Sequence, residues 1–195
     1  MKPRITDPEV ALLASLASGL EREYIAPTQE DPWSGSPFAW ILKCPSRRRG
    51  KIGEQLVAGW CAAKGLDVLA SGDSEADRVI AGRRVEIKFS TLWASGSYKF
   101  QQLRDQRYDA AICLGISPFD AHCWVIEKEQ LHRHVLGQLP QHAGRRGTDT
   151  FWFTVVPNQA PDWLSGCGGR LSDAFTILKR WQAHRPSSIA PRAAE

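Results

Sequence analysis

Apolar residues recur at helical spacing near the start of the chain, where Val10, Leu13, Leu16 and Leu20 form one stripe. Thr6 or Asp7 can cap such a helix and Pro8 suits its first turn, so a helix is expected over 6–24. Over 27–45 the pattern dissolves into Pro, Gly, Ser and Trp, a loop or wrapped segment with Trp33 and Trp40 as its expected anchors. Helical periodicity returns over about 50–64 and stops at Gly65. A short strand over 66–70 follows, then two strands, 77–80 and 84–89, around Ala81-Gly82 as a tight turn.

Beyond them the spacing predicts a short helix over 100–107 and an almost continuously apolar strand over 108–116, suited to burial on both faces. A strand over 122–126, a short helix over 127–135, an exposed basic loop over 144–147, a strand over 151–156 and a closing helix over 171–181 complete the pattern. The last residues, HRPSSIAPRAAE, read as a disordered tail. This order predicts an α/β fold with a central mixed β-sheet flanked by α-helices. It is read as a single domain over 1–195, with a core at about 46–136, the N-terminal helix 6–24 and a C-terminal extension 137–195.

Composition narrows the setting. At 195 residues, 43% hydrophobic and 24% charged, the chain has ordinary globular proportions. No apolar run is long enough to cross a bilayer and MKPRITDPEV lacks a secretory layout, so a cytoplasmic, membrane-free protein is expected. The five cysteines are odd in number, widely spaced and without a CxxC, which argues against a disulfide framework or a zinc site. The net charge of +4 is mild, but its distribution is uneven. Arg47, Arg48 and Arg49 run on to Lys51, with Arg83, Arg84, Arg104, Arg107, Arg145 and Arg146 downstream. Such local patches can bind phosphates where overall charge is modest.

The chemistry lies in EADRVIAGRRVEIKFS, residues 75–90. With Ala81 and Gly82 as a two-residue turn, Ile80 pairs with Arg83 and Asp77 falls opposite Glu86. Strand side chains alternate, so Asp77, Glu86 and Lys88 converge on one face while Val85 and Ile87 take the other. A turn at Gly82-Arg83 would set Asp77 opposite Lys88 with the same result, whereas a three-residue loop would break it. Carboxylates opposed across a hairpin repel, and a divalent cation removes that penalty. Mg²⁺ held by carboxylates keeps sites for a phosphate oxygen and water, and a neighbouring ammonium can orient the water or stabilise charge at phosphorus.

Asp77 followed nine residues later by Glu86-Ile87-Lys88 resembles the PD-(D/E)xK nuclease superfamily, the restriction-endonuclease-like fold. Ala76 stands where the signature carries proline, a position often varied in that superfamily. The resemblance implies that Asp77 and Glu86 bind metal and that Lys88 is catalytic. It spans about residues 50–127, because GKIGEQLVAGWCAAKGLDVLAS resembles the first core helix and strand, and SYKFQQLRDQRYDAAICLGI the later helix and buried strand. It implies a metal-supporting role for Glu54, which shares a stripe with Val57, Ala58 and Cys61, and a supporting role beside the site for Gln101 or Gln102. Arg47, Arg48, Arg49 and Arg104 are candidate DNA contacts. Ser90 and Thr91 are candidate backbone contacts or turn residues, and the tryptophans read mostly as core or anchors, with one or two able to stack on bases and nothing in the sequence selecting which. His132 and His134, two residues apart, point to different faces and do not suggest a shared metal.

The expected function is a Mg²⁺-dependent endodeoxyribonuclease of restriction or defence type, with Mn²⁺ as a substitute, DNA as partner, and dimerisation compatible with cutting both strands. The alternatives are a repair or recombination nuclease resembling a junction resolvase, a catalytically inactive DNA-binding module on the same fold, and an unrelated α/β domain.

Overall fold

A computed structural model of the chain describes residues 31–138 and 150–184. The expected helix over 6–24, the basic loop over 144–147 and the tail from 185 lie outside them. The chain divides into two compact units, Met1–Ser34 and Gly35–Glu195. Everything that follows concerns the second.

That unit begins with a short helix, α1 (Ala39–Leu42), which leaves Trp40 52% exposed and so overturns its expected anchoring role. Helix α2 (Ser46–Ala63) starts four residues before the expected 50 and takes Arg47, Arg48 and Arg49 into its first turns. Eight strands follow: β1 (Val68–Ala70), β2 (Arg78–Ile80), β3 (Arg83–Thr91), β4 (Tyr98–Leu103), β5 (Ala110–Ile116), β6 (Ala121–Glu127), β7 (Phe151–Val155) and β8 (Gly168–Arg170). Helix α3 (Lys128–His134) follows β6, and α4 (Leu171–Ala183) closes the unit.

Six strands form one sheet in the order β1-β2-β3-β5-β6-β8, while β4 and β7 form a separate two-stranded ribbon. The central pair, β3 and β5, runs parallel and the other pairings are antiparallel, so the sheet is mixed as expected. Strand β5 is buried at all seven positions, which accounts for its unbroken apolar sequence. One sheet face supplies Ala111, Cys113, Trp124 and Ile126 to a core with Tyr98, Phe100 and Phe153 of the ribbon and Leu131 of α3. The other face receives α2, whose Gly53 lies against Phe89.

The expected helix over 100–107 is absent. Its first residues form β4, and the remainder is loop. Between Phe100 and Leu103 the ladder with β7 shifts register, because two residues, Gln101 and Gln102, oppose the single Trp152. The bulge puts Gln102 at φ 57° and breaks the strand's period of two. Tyr98, Phe100 and Leu103 are consequently the buried positions, and the last spacing imitates a helix.

Gly53 sets the distance between α2 and β3. A Cβ there would overlap the Cβ of Phe89, which is fixed to the backbone of the central sheet. Gly53→Ala should therefore lower thermal stability by about 1–3 kcal/mol, despite the better helix propensity of alanine. Gly59→Ala in the same helix meets nothing within 4 Å and should be neutral or stabilising by up to about 1 kcal/mol. Melting the two variants side by side checks this; equal effects would refute the close-approach role of Gly53.

Candidate active site

The hairpin forms in the simpler of the two registers. Ile80 pairs with Arg83, Val79 with Arg84 and Arg78 with Val85. Ala81 and Gly82 both take positive φ, 51° and 82°, as a two-residue turn matched to the twist of its strands requires. Continuing this register brings Asp77 opposite Glu86, and the Asp77 N–H donates to the Val85 carbonyl at 2.9 Å. Strand β2 reaches no further. Beyond Val85, β3 has β5 on one side and, among the described residues, no strand pairing on the other.

A cleft of about 880 Å³ lies along this open edge, and Asp77, Glu86 and Lys88 all line it. Glu54 and Lys51 from α2 join them, as do Gln101, Gln102 and Lys99 from the ribbon. Arg47 and Arg49 line it as well, whereas Arg48 and Arg104 lie outside its lining. The glutamines reach the cleft from a bulged strand, not from a helix, and both line it. Ser90 and Thr91 line it too, as the last residues of β3 and not as a turn. Ser90 is buried, and its hydroxyl accepts the Lys99 N–H at 2.9 Å, tying the ribbon to β3.

The acidic groups are held closely. The Asp77 carboxylate accepts the Ile87 N–H at 2.7 Å, which satisfies a backbone donor beside the point where β2 stops pairing. Glu86 is only 8% exposed, and its Oε1 lies 2.6 Å from the Lys88 Nζ. Glu54 Oε2 lies 2.7 Å from the Lys51 Nζ. Burial pushes the Asp77 carboxyl up to about 6, with the neighbouring charges of Glu86 and Glu54 adding to the rise. The Ile87 N–H and the Lys88 ammonium pull the other way without cancelling it.

These donors fit a divalent cation of the magnesium type. Mg²⁺ commonly takes one or two carboxylates and completes its shell with water and substrate phosphate. Asp77 and Glu86 are such a pair of hard oxygen donors, and the raised Asp77 pKa reflects its burial first and the neighbouring charge of Glu86 second. Among the described residues no three of His, Cys, Asp and Glu form a metal-holding group. The fit is thus to an open two-carboxylate site, with Glu54 nearby and paired to Lys51, rather than to a preformed cage of three.

Charge around the acids suits a polyanion. Arg47, Arg49, Lys51, Lys88 and Lys99 line the cleft together with Glu54, Asp77 and Glu86, an excess of cations. The first turn of α2 contains no acidic residue. Basic groups there oppose the positive end of the helix dipole, a cost that an incoming phosphate would reverse. The Arg49 Nε donates to the Cys44 carbonyl at 2.8 Å, which holds that guanidinium in place. Sequence reasoning missed Lys99 as a cleft residue because its placement depends on the ribbon folding beside the β3 edge.

No family model matches the chain, and no curated protein sequence matches it. Among solved structures it is similar to a bacterial homing endonuclease, I-Ssp6803I, at 16% identity and a TM-score of 0.46, over 71% of this chain and 95% of that one.

Proposed function

We propose that this chain is a divalent-metal-dependent nuclease that hydrolyses DNA phosphodiester bonds, a divergent PD-(D/E)xK enzyme with Asp77, Glu86 and Lys88 at its centre. The observation that carries this reading is the convergence of two opposed carboxylates and an ammonium in one cleft whose rim is cationic. Asp77 and Glu86 would hold Mg²⁺, or Mn²⁺ in its place, and the bound cation would relieve their repulsion and polarise a phosphate oxygen. Asp77 must be ionised for this, and its carboxylate is fixed in direction by the Ile87 N–H. Lys88, paired with Glu86 in the structure, would use its ammonium to orient the attacking water or to stabilise charge building on the phosphate. Glu54 adds negative charge beside the cation, and Arg47, Arg49 and Lys51 hold the strand.

The direct test is incubation of plasmid and linear DNA with Mg²⁺, Mn²⁺ or EDTA. Metal-dependent scission supports the proposal, and a folded protein that cuts no DNA under any of these conditions defeats it. The charge pattern has its own test in binding measured against salt. Affinity should fall steeply as salt rises, and Arg47→Ala or Lys51→Ala should each reduce the log–log slope by about one. A flat response would remove the electrostatic role of the rim.

A restriction or host-defence role is the setting we propose for this activity, in which sequence-dependent cutting of plain duplex is the expected signature. The second reading is a repair or recombination nuclease acting on branched DNA. It is favoured by two exposed tryptophans, Trp93 in the lining of the cleft and Trp152 beside the cleft residue Lys99. A panel of plain, nicked, tailed and branched substrates separates the two.

A further inference from the structure

The outer face of the β4–β7 ribbon carries an aromatic and cationic cluster that the hydrolytic chemistry does not use. Trp152 of β7 is 42% exposed and Trp93, in the loop before β4, is 49% exposed. Lys99 lies between them, its Nζ 4.3 Å from the centroid of the Trp152 ring and 5.5 Å from that of Trp93. Trp93 is held by its loop, where its N–H donates to the Ser97 carbonyl at 3.0 Å and its own carbonyl accepts the Gly96 N–H at 2.9 Å. Trp152 is opposed by the Gln101–Gln102 bulge. Trp93 and Lys99 also line the cleft that holds Asp77, Glu86 and Lys88, so the cluster is continuous with the candidate active site.

Two large apolar rings left half in water beside a cationic cleft call for an occupant that is both flat and anionic. A nucleotide meets both requirements, with its base on an indole and its phosphate on Lys99. Within a duplex, the faces of the bases are covered by their neighbours and only the edges reach the grooves. An indole gains from a base only when that base has left the stack. Resting on the nuclease reading above, and siding with its repair or recombination form over its restriction form, we infer that Trp93, Lys99 and Trp152 bind an unpaired nucleobase flanking the scissile phosphate, which makes the favoured substrate DNA with a single-stranded tail or branch.

Binding in EDTA isolates this step from cleavage. The probes are a blunt duplex and the same duplex with a short single-stranded tail carrying 2-aminopurine at its first unpaired position. The wild-type protein should bind the tailed form more tightly, by roughly five- to hundredfold for one stacked base, and should quench the 2-aminopurine. Trp152→Ala should remove the preference and weaken the quench while leaving blunt-duplex affinity in place, and Trp152→Phe should restore most of both. Trp93→Ala should reduce the quench. Unchanged melting of each variant confirms that the ribbon is intact.

Equal wild-type affinity for blunt and tailed DNA, or a preference that survives Trp152→Ala in a folded variant, overturns the inference and leaves the nuclease reading standing. Failure to bind either DNA overturns both. A Trp152→Ala variant that changes self-association and not tail preference assigns the surface to a second copy of the chain, and overturns the inference as well.

Discussion

Lys88→Ala should abolish metal-dependent DNA cutting, with a fall in rate on the order of 10²–10⁴, while DNA binding in non-catalytic Ca²⁺ is retained. The reason lies in what Lys88 does before and after a cation arrives. In the structure it neutralises Glu86 at 2.6 Å, so removing it exposes the carboxylate and does not weaken a metal ligand. Metal affinity measured by calorimetry should accordingly be equal or higher in the variant. Loss of cutting with intact metal and DNA binding isolates the ammonium as the missing part. Lys88→Arg then divides its two roles: a side chain that only stabilises charge is partly replaced by guanidinium, whereas one that orients the water from a compact ammonium is not. Cutting by Lys88→Ala at the wild-type rate would sink the assignment of this residue.

Asp77→Asn should also end cutting, yet make the metal-free protein more stable at pH 8. Burial and the charges of Glu86 and Glu54 raise the Asp77 pKa from 3.8 to about 6. The protonated carboxyl is therefore the form the fold prefers. Its stabilising contribution is fully present below the unfolded pKa of 3.8 and is lost as pH rises through about 6. Asparagine keeps an oxygen to accept the Ile87 N–H and never ionises. The gain at pH 8 should be about 1–2 kcal/mol once solvent screening on the open side of the cleft is counted, or a few degrees in Tm.

The melting curves of wild type and variant should converge as pH falls from 8 to 5 without metal, and added Mg²⁺ should raise the Tm of the wild type alone. By the same proton competition, wild-type cutting should decline as pH drops through about 6, and more metal should shift that decline to lower pH. An Asn variant less stable than wild type at pH 8 without metal, but otherwise folded, would contradict the account of Asp77.

The hairpin that pairs Asp77 with Glu86 was legible because turn chemistry and strand alternation are local properties. A two-residue turn at Ala81-Gly82 determines every partner back to Asp77. Strand β5 was legible for another reason, since seven consecutive buried positions leave an unbroken apolar run. Residues 98–103 were read as the start of a helix because the bulge at Gln101–Gln102 turns a spacing of two into a spacing of three. The start of α2 was placed too late because three arginines at the positive end of a helix oppose its dipole. In both cases the departure from local rules falls at the cleft. The separation of Arg47 and Arg49 from Arg48, and the arrival of Lys99, depend on how α2 and the ribbon sit beside β3, which no short window of sequence encodes.

The open edge of β3 has a cost in the cell. A strand edge without a neighbour offers its backbone to any other extended chain, and proteins commonly guard such edges with charge. Here the Ile87 N–H of that edge is already taken by the Asp77 carboxylate at 2.7 Å, between the ion-paired Glu86 and Lys88. A foreign strand docking along this edge would have to displace the Asp77 carboxylate from the Ile87 N–H before it could pair there. The carboxylate proposed to hold the metal thus also covers a backbone donor of the central sheet, a second reason for an acceptor at position 77.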